Sequence, residues 1–121
     1  MTSLFKKLQR FLGVTSADLL PLKELMLNAK SGDAQAQYQI ATLYDVGEGV
    51  EEDEAKAIEW YLKAATQGHS QAQYMMGMMC ETSEHLSVES HQALEWFLKS
   101  AAQGNSDALG HLEAIGYSNK K

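Results

Sequence analysis

The sequence predicts an all-α protein, an α/α solenoid of 36-residue helix-turn-helix repeats with about seven helices in a right-handed superhelix. Three observations predict it. Residues 33–68 and 69–104 are successive copies of one block, identical at 13 aligned positions. Each copy carries two segments with apolar residues at helical spacing, separated by a turn. A single proline in 121 residues, with 45% hydrophobic and 21% charged residues, fits a helix-rich globular chain. A unit this short cannot bury its own apolar face and is stabilised by stacking on its neighbours.

The elements follow in order, all within a single repeat domain over 1–121. Residues 1–32 form a degenerate first repeat, because Leu22, Leu25, Met26, Ala29 and Gly32 align with Ile58, Tyr61, Leu62, Ala65 and Gly68. Its helix A is expected over 2–12, a basic amphipathic helix with Leu4, Phe5, Leu8, Phe11 and Leu12 on one face and Lys6, Lys7, Gln9 and Arg10 opposite. The first full repeat (33–68) opens with Asp33 as N-cap, and Ala36, Ile40, Leu43 and Tyr44 then line one stripe of a helix A over 34–46. Gly47-Glu48-Gly49 ends that helix, and Val50 plugs the turn. Asp53 caps helix B, whose apolar face is expected to be Ala57, Ile58, Tyr61, Leu62 and Ala65, ending at Gly68.

In the second repeat (69–104) helix A presents Ala72, Met76, Gly77, Met79 and Cys80, and helix B presents Ala93, Leu94, Phe97, Leu98 and Ala101. Its turn departs from the first, since Thr82-Ser83-Glu84-His85-Leu86 lacks glycine and its conformation is left open. A capping helix follows over 105–117, with Ala108, Leu112 and Ile115 on the packing stripe, and 118–121 is a tail. Glu113 stands where Ala41 and Gly77 stand in the earlier repeats. A carboxylate there keeps one face of the cap in water.

Charge and composition exclude several function classes. Net charge is −6, distributed as +3 over residues 1–30 and −9 over the remainder. An acidic body repels phosphate backbones, so no nucleic-acid partner is expected. No stretch reaches the length of a membrane span, and Lys6, Lys7 and Arg10 interrupt any signal-peptide core, so a cytoplasmic location is expected. The single Cys80 excludes an intrachain disulfide. No HExxH, paired CxxC, nucleophile elbow or phosphate cradle is present, so neither enzyme activity, a metal nor a cofactor is expected. The methionines around Met76 and Met79 do not converge on a copper site, and Glu51-Glu52-Asp53-Glu54 reads as a solvated helix start.

The pattern Ala36…Tyr44-x-x-Gly47-x-Gly49-Val50-x-x-Asp53-x-x-Lys56-Ala57-x-x-Trp60-Tyr61-x-x-Ala64-Ala65-x-x-Gly68 resembles the Sel-one-like repeats, relatives of the tetratricopeptide repeats. The resemblance implies a concave groove lined by the A helices and used to bind other proteins, commonly as an adaptor. In such a stack, the A-helix positions that alternate with the packing stripe face the groove: Gln39, Thr42, Met75, Met78 and His111. Met75 and Met78 replace Gln39 and Thr42 one repeat later, an apolar spot of adaptable thioethers. Met76 and Met79 read as core, and Trp60 and Trp96 as seals between helices.

The leading expectation is a non-catalytic adaptor or scaffold that holds a protein partner, basic given the acidic body, in that groove. The alternative is a membrane-peripheral or assembly factor anchored by helix 2–12, with Lys6, Lys7 and Arg10 as the membrane or partner face. Self-association through the short solenoid ends stays open.

Overall fold

The computed structural model describes residues 16–83 and 90–117. They form six helices: α1 (Ser16–Lys30), α2 (Ala34–Val46), α3 (Glu54–Thr66), α4 (Ser70–Thr82), α5 (Ser90–Ala102) and α6 (Ser106–Ala114). Each helix packs chiefly on its neighbours in sequence, and the pairs α2–α3 and α4–α5 are the most extensive. These pairs are the two expected repeats, with α1 before them and α6 after. The expected helix over 2–12, with Lys6, Lys7 and Arg10, lies outside the described residues, as do the tail and most of the turn at 82–86.

Side chains start the helices. Asp33 accepts from the Ala36 N–H at 2.9 Å, Asp53 from Lys56 N–H at 3.1 Å and Asn105 from Ala108 N–H at 2.9 Å. Such caps contribute about 0.5–2 kcal/mol each. The B helices end alike. His69 N–H reaches the Ala64 carbonyl and Gly68 N–H reaches Ala65, while Asn105 and Gly104 do the same to Ser100 and Ala101. Gly68 supplies the left-handed residue this motif requires, at φ 98°. The two junctions therefore carry the same backbone hydrogen bonds.

Small residues on the A helices let the B helices approach. Ala41 packs in one core cluster with Ala57, Tyr61, Ala64, Ala65, Ala72 and Met76. Gly77 lies so close to Phe97 that a Cβ on it would come within 2.6 Å of the ring. Val50 is buried as expected of a turn plug, and Met76 and Met79 are core.

Several expectations are corrected. Leu62, placed on the buried face of helix B, is 40% exposed, and Ala64 is the buried neighbour instead. Ile115, placed on the capping stripe, is 51% exposed because α6 ends at Ala114. Cys80, Leu94, Leu98 and Ala101 are half-buried and pack against the core as their stripe expects, while Ser100, absent from that stripe, is fully buried with its hydroxyl donating to the Ser70 carbonyl at 2.7 Å. Glu113 is exposed, in keeping with a wet capping face.

A polar spine crosses the core. Buried Gln37 donates to the Ala29 carbonyl at 3.0 Å and accepts from Gln67 at 2.8 Å. One repeat later, buried Gln73 donates to Ala65 at 3.2 Å and accepts from Gln103 at 2.9 Å. The A helices α2 and α4 thus each supply a donor to the last turn of the helix before them, where carbonyls lack intrahelical partners. Among the described residues, no buried side-chain nitrogen or oxygen lacks a partner.

Candidate partner-binding surface

Helical geometry decides which A-helix residues stay accessible. The packing stripes of α2 and α4 are consumed by the flanking helices, leaving Gln35, Gln39, Thr42 and Val46 on α2 and Gln71, Met75, Met78 and Thr82 on α4 at least partly exposed. On α6 the same register holds Asp107 and His111. The five residues read from the sequence therefore share one stripe, with Gln39, Met75 and His111 each one repeat apart. Gln39 is exposed, while Thr42, Met75, Met78 and His111 are half-buried.

Their partial burial has specific causes. The Thr42 hydroxyl donates to the Tyr38 carbonyl at 3.0 Å and lies 3.4 Å from the Tyr61 hydroxyl. Met75 packs against the Ala41–Tyr61 core and Met78 against the Phe97 core. The His111 ring sits 4.4 Å from that of Phe97, with Nε2 3.2 Å from a Glu81 carboxylate oxygen.

The two repeats solve the same packing problem with opposite polarity. Tyr61 donates its hydroxyl to Asp45 at 3.1 Å, and burial, with Asp45 nearby, pushes its ionisation far above the ordinary phenol range. One period on, Phe97 replaces Tyr61 and Met78 replaces Thr42, so Glu81, in the place of Asp45, has no phenol to hold it. Its bond to His111 crosses to the next A helix instead. Burial raises the Tyr74 phenol, and the carboxylates of Asp107 and Glu81 raise it further. Beside Glu81 lies a pocket of about 320 Å³ lined by Leu94, Phe97, Ile115, Gly116 and Tyr117.

Sequence reasoning missed the polar links between repeats. His69 Nδ1 accepts from Ala72 N–H at 3.1 Å, so its Nε2 must carry the proton it donates to Gln35 at 2.7 Å, with Tyr38 stacked at 4.8 Å. Burial lowers the His69 pKa, which favours the neutral ring this cap needs. Asn105 repeats the arrangement, bonding Gln71 at 2.8 Å, and Gln71 in turn donates to Asp107 at 3.2 Å. The signal was available in the identity of Gln35 with Gln71, Gln37 with Gln73 and Gln67 with Gln103.

No described group of three or more His, Cys, Asp or Glu side chains is placed to hold a metal ion. His85, in the turn without glycine, lies outside the described residues. Burial raises the Cys80 thiol above its usual range, which leaves little thiolate. Among the described residues no helix is long and apolar enough to cross a membrane.

A solenoid of helix pairs with an open A-helix stripe defines a class of repeat protein. The Sel1 repeat model matches residues 34–69 and 70–105, and this chain belongs to the Sel1 repeat family. Proteins of this family generally act as protein-interaction modules. The fold is similar to a Sel1 repeat protein from Oxalobacter formigenes, at TM-score 0.77 and 33% identity over 93% of this chain and 87% of that one. It is also similar to a protective antigen of uropathogenic Escherichia coli strains displaying an SLR fold, at TM-score 0.73 and 37% identity over 90% of this chain but only 24% of the antigen. No curated protein matches this chain in sequence.

Proposed function

We propose that this chain is a non-catalytic adaptor that holds a segment of a protein partner along the A-helix stripe. The observation that carries the reading is the common register of Gln39, Met75 and His111 on α2, α4 and α6, which leaves one accessible face running across three helices. Amide, thioether and imidazole side chains give such a face adaptable contacts. The acidic field of the body speeds the approach of a basic partner. A reducing, cytoplasmic setting suits the single half-buried thiol of Cys80.

Affinity capture from native lysate tests the reading, comparing the wild-type chain with a Gln39→Lys, Met78→Lys variant whose helicity is checked by circular dichroism. A protein enriched by the wild type and lost with the variant supports the stripe as the binding face. Capture that is unchanged in the variant sinks it.

A further inference from the structure

All five lysines among the described residues lie on α1, α3 and α5: Lys23, Lys30, Lys56, Lys63 and Lys99. The A helices α2, α4 and α6 carry no lysine or arginine, yet hold Asp45, Glu81, Asp107 and Glu113. Of these, Asp45 is bound by Tyr61. Glu81 meets His111 at 3.2 Å, and its carboxylate lines the 320 Å³ pocket.

That pocket has a structural origin. In the first repeat the corresponding wall, Asp45, Ile58 and Tyr61, is followed by Met79, Cys80 and Glu81 in the last turn of α4, a helix of 13 residues. Their counterparts in the next A helix are Ile115, Gly116 and Tyr117, but α6 has only 9 residues and ends at Ala114. The missing turn leaves Leu94, Phe97, Ile115 and Tyr117 around an apolar space with one carboxylate at its edge.

We propose that this pocket seats a lysine or arginine side chain of the partner, its methylene stem against Leu94, Ile115 and Tyr117 and its cationic head on Glu81. The proposal rests on the adaptor reading above and makes the partner a basic segment with a long cationic side chain at the α4–α6 end of the stripe. Long cationic side chains bury their stems on apolar surface while the head stays wet, which matches apolar walls and a rim carboxylate. Charge complementarity comes from α2, α4 and α6, which carry carboxylates and no lysine or arginine.

The test uses the full chain, labelled with nitrogen-15 and titrated at low salt with acetyl-Leu-Arg-Leu-amide and with its citrulline counterpart, which has the same shape and no charge. Millimolar probe is expected to shift the amide signals of Glu81, Leu94 and Phe97, with the arginine form about threefold to fivefold tighter, as for a half-exposed ion pair. Glu81→Gln should erase that preference, and Glu113→Gln, an equal charge change on the exposed capping face, should retain it. Equal binding of the two probes along Gln39 and Met75 overturns the cation seat and leaves the adaptor reading standing. Arginine-specific shifts confined to Glu51 through Glu54, or no shift with either probe, also overturn the seat. The chain's own Lys120 and Lys121 are the competing occupant: if Lys120→Gln, Lys121→Gln shifts Glu81 and Phe97 with no probe present, the tail fills the pocket and the proposal fails.

Discussion

Gln103 donates its side-chain amide to the buried carbonyl of Gln73 at 2.9 Å, repeating one period later the bond from Gln67 to Gln37. The pair ties α5 to α4, and Gln73 carries the link on to the Ala65 carbonyl at the end of α3. A single buried amide thus joins three helices. Gln73→Leu is expected to lose about 0.5–1.5 kcal/mol, the net value of an ordinary hydrogen bond, since the Ala65 carbonyl keeps the Gly68 N–H and Gln103 keeps the Gly68 carbonyl. Urea unfolding monitored at the helix signal measures this. A loss indistinguishable from zero would mean the glutamine spine has no energetic role.

Gly77 and Phe97 predict a steric penalty where helix propensity predicts a gain. Replacing a mid-helix glycine with alanine favours the helix by about 0.5–1 kcal/mol. The new Cβ, however, would sit 2.6 Å from the Phe97 ring, which must shift inside a packed core. Overpacking of this kind costs about 1–3 kcal/mol. Gly77→Ala is therefore expected to destabilise the chain, and a raised urea midpoint would contradict the close approach.

The His69 cap predicts a pH dependence with a definite sign. Its folded pKa lies below the unfolded value, so its contribution is fully present above the unfolded pKa and declines as pH falls toward the folded one. Protonation puts a hydrogen on the Nδ1 that accepts from Ala72. His69→Asn, copying Asn105, keeps an acceptor that does not titrate. The stability difference, wild type minus variant, should fall between pH 7 and pH 5. Thermal melts across that range check it, and a flat difference would mean the ring does not act as the cap.

Tyr61→Phe converts the first repeat to the chemistry of the second. It removes the 3.1 Å bond to Asp45 and the 3.4 Å contact with Thr42. The expected loss is about 0.5–1.5 kcal/mol, the net value of an ordinary hydrogen bond, since Asp45 is only partly buried and regains water. The same melts measure it.

Helix boundaries were legible in the sequence because local chemistry sets them. Asp33, Asp53, Gly47 and Gly68 act within a few residues of themselves, so α2 has the extent its pattern predicts. Burial depth was less legible. Leu62 reads as core from its spacing but is 40% exposed, whereas the smaller Ala64 is fully buried in the cluster with Ala41, Tyr61 and Ala72. The stripe residues were legible by exclusion from the packing face. The Glu81 pocket was not, because it depends on α6 ending one turn early. The amide spine was hidden for another reason: glutamine has no hydrophobic signature, and only its recurrence at 36-residue spacing marks it.

The junction at Gly104 and Asn105 copies the one at Gly68 and His69 almost bond for bond. Length is consequently a free variable of this architecture. A duplicate of residues 69–104 spliced in after Gly104 would meet the same helix end, the same amide donors and the same side-chain caps that the original meets. The binding face would grow by one helix per insertion, and its reach would be counted in whole repeats.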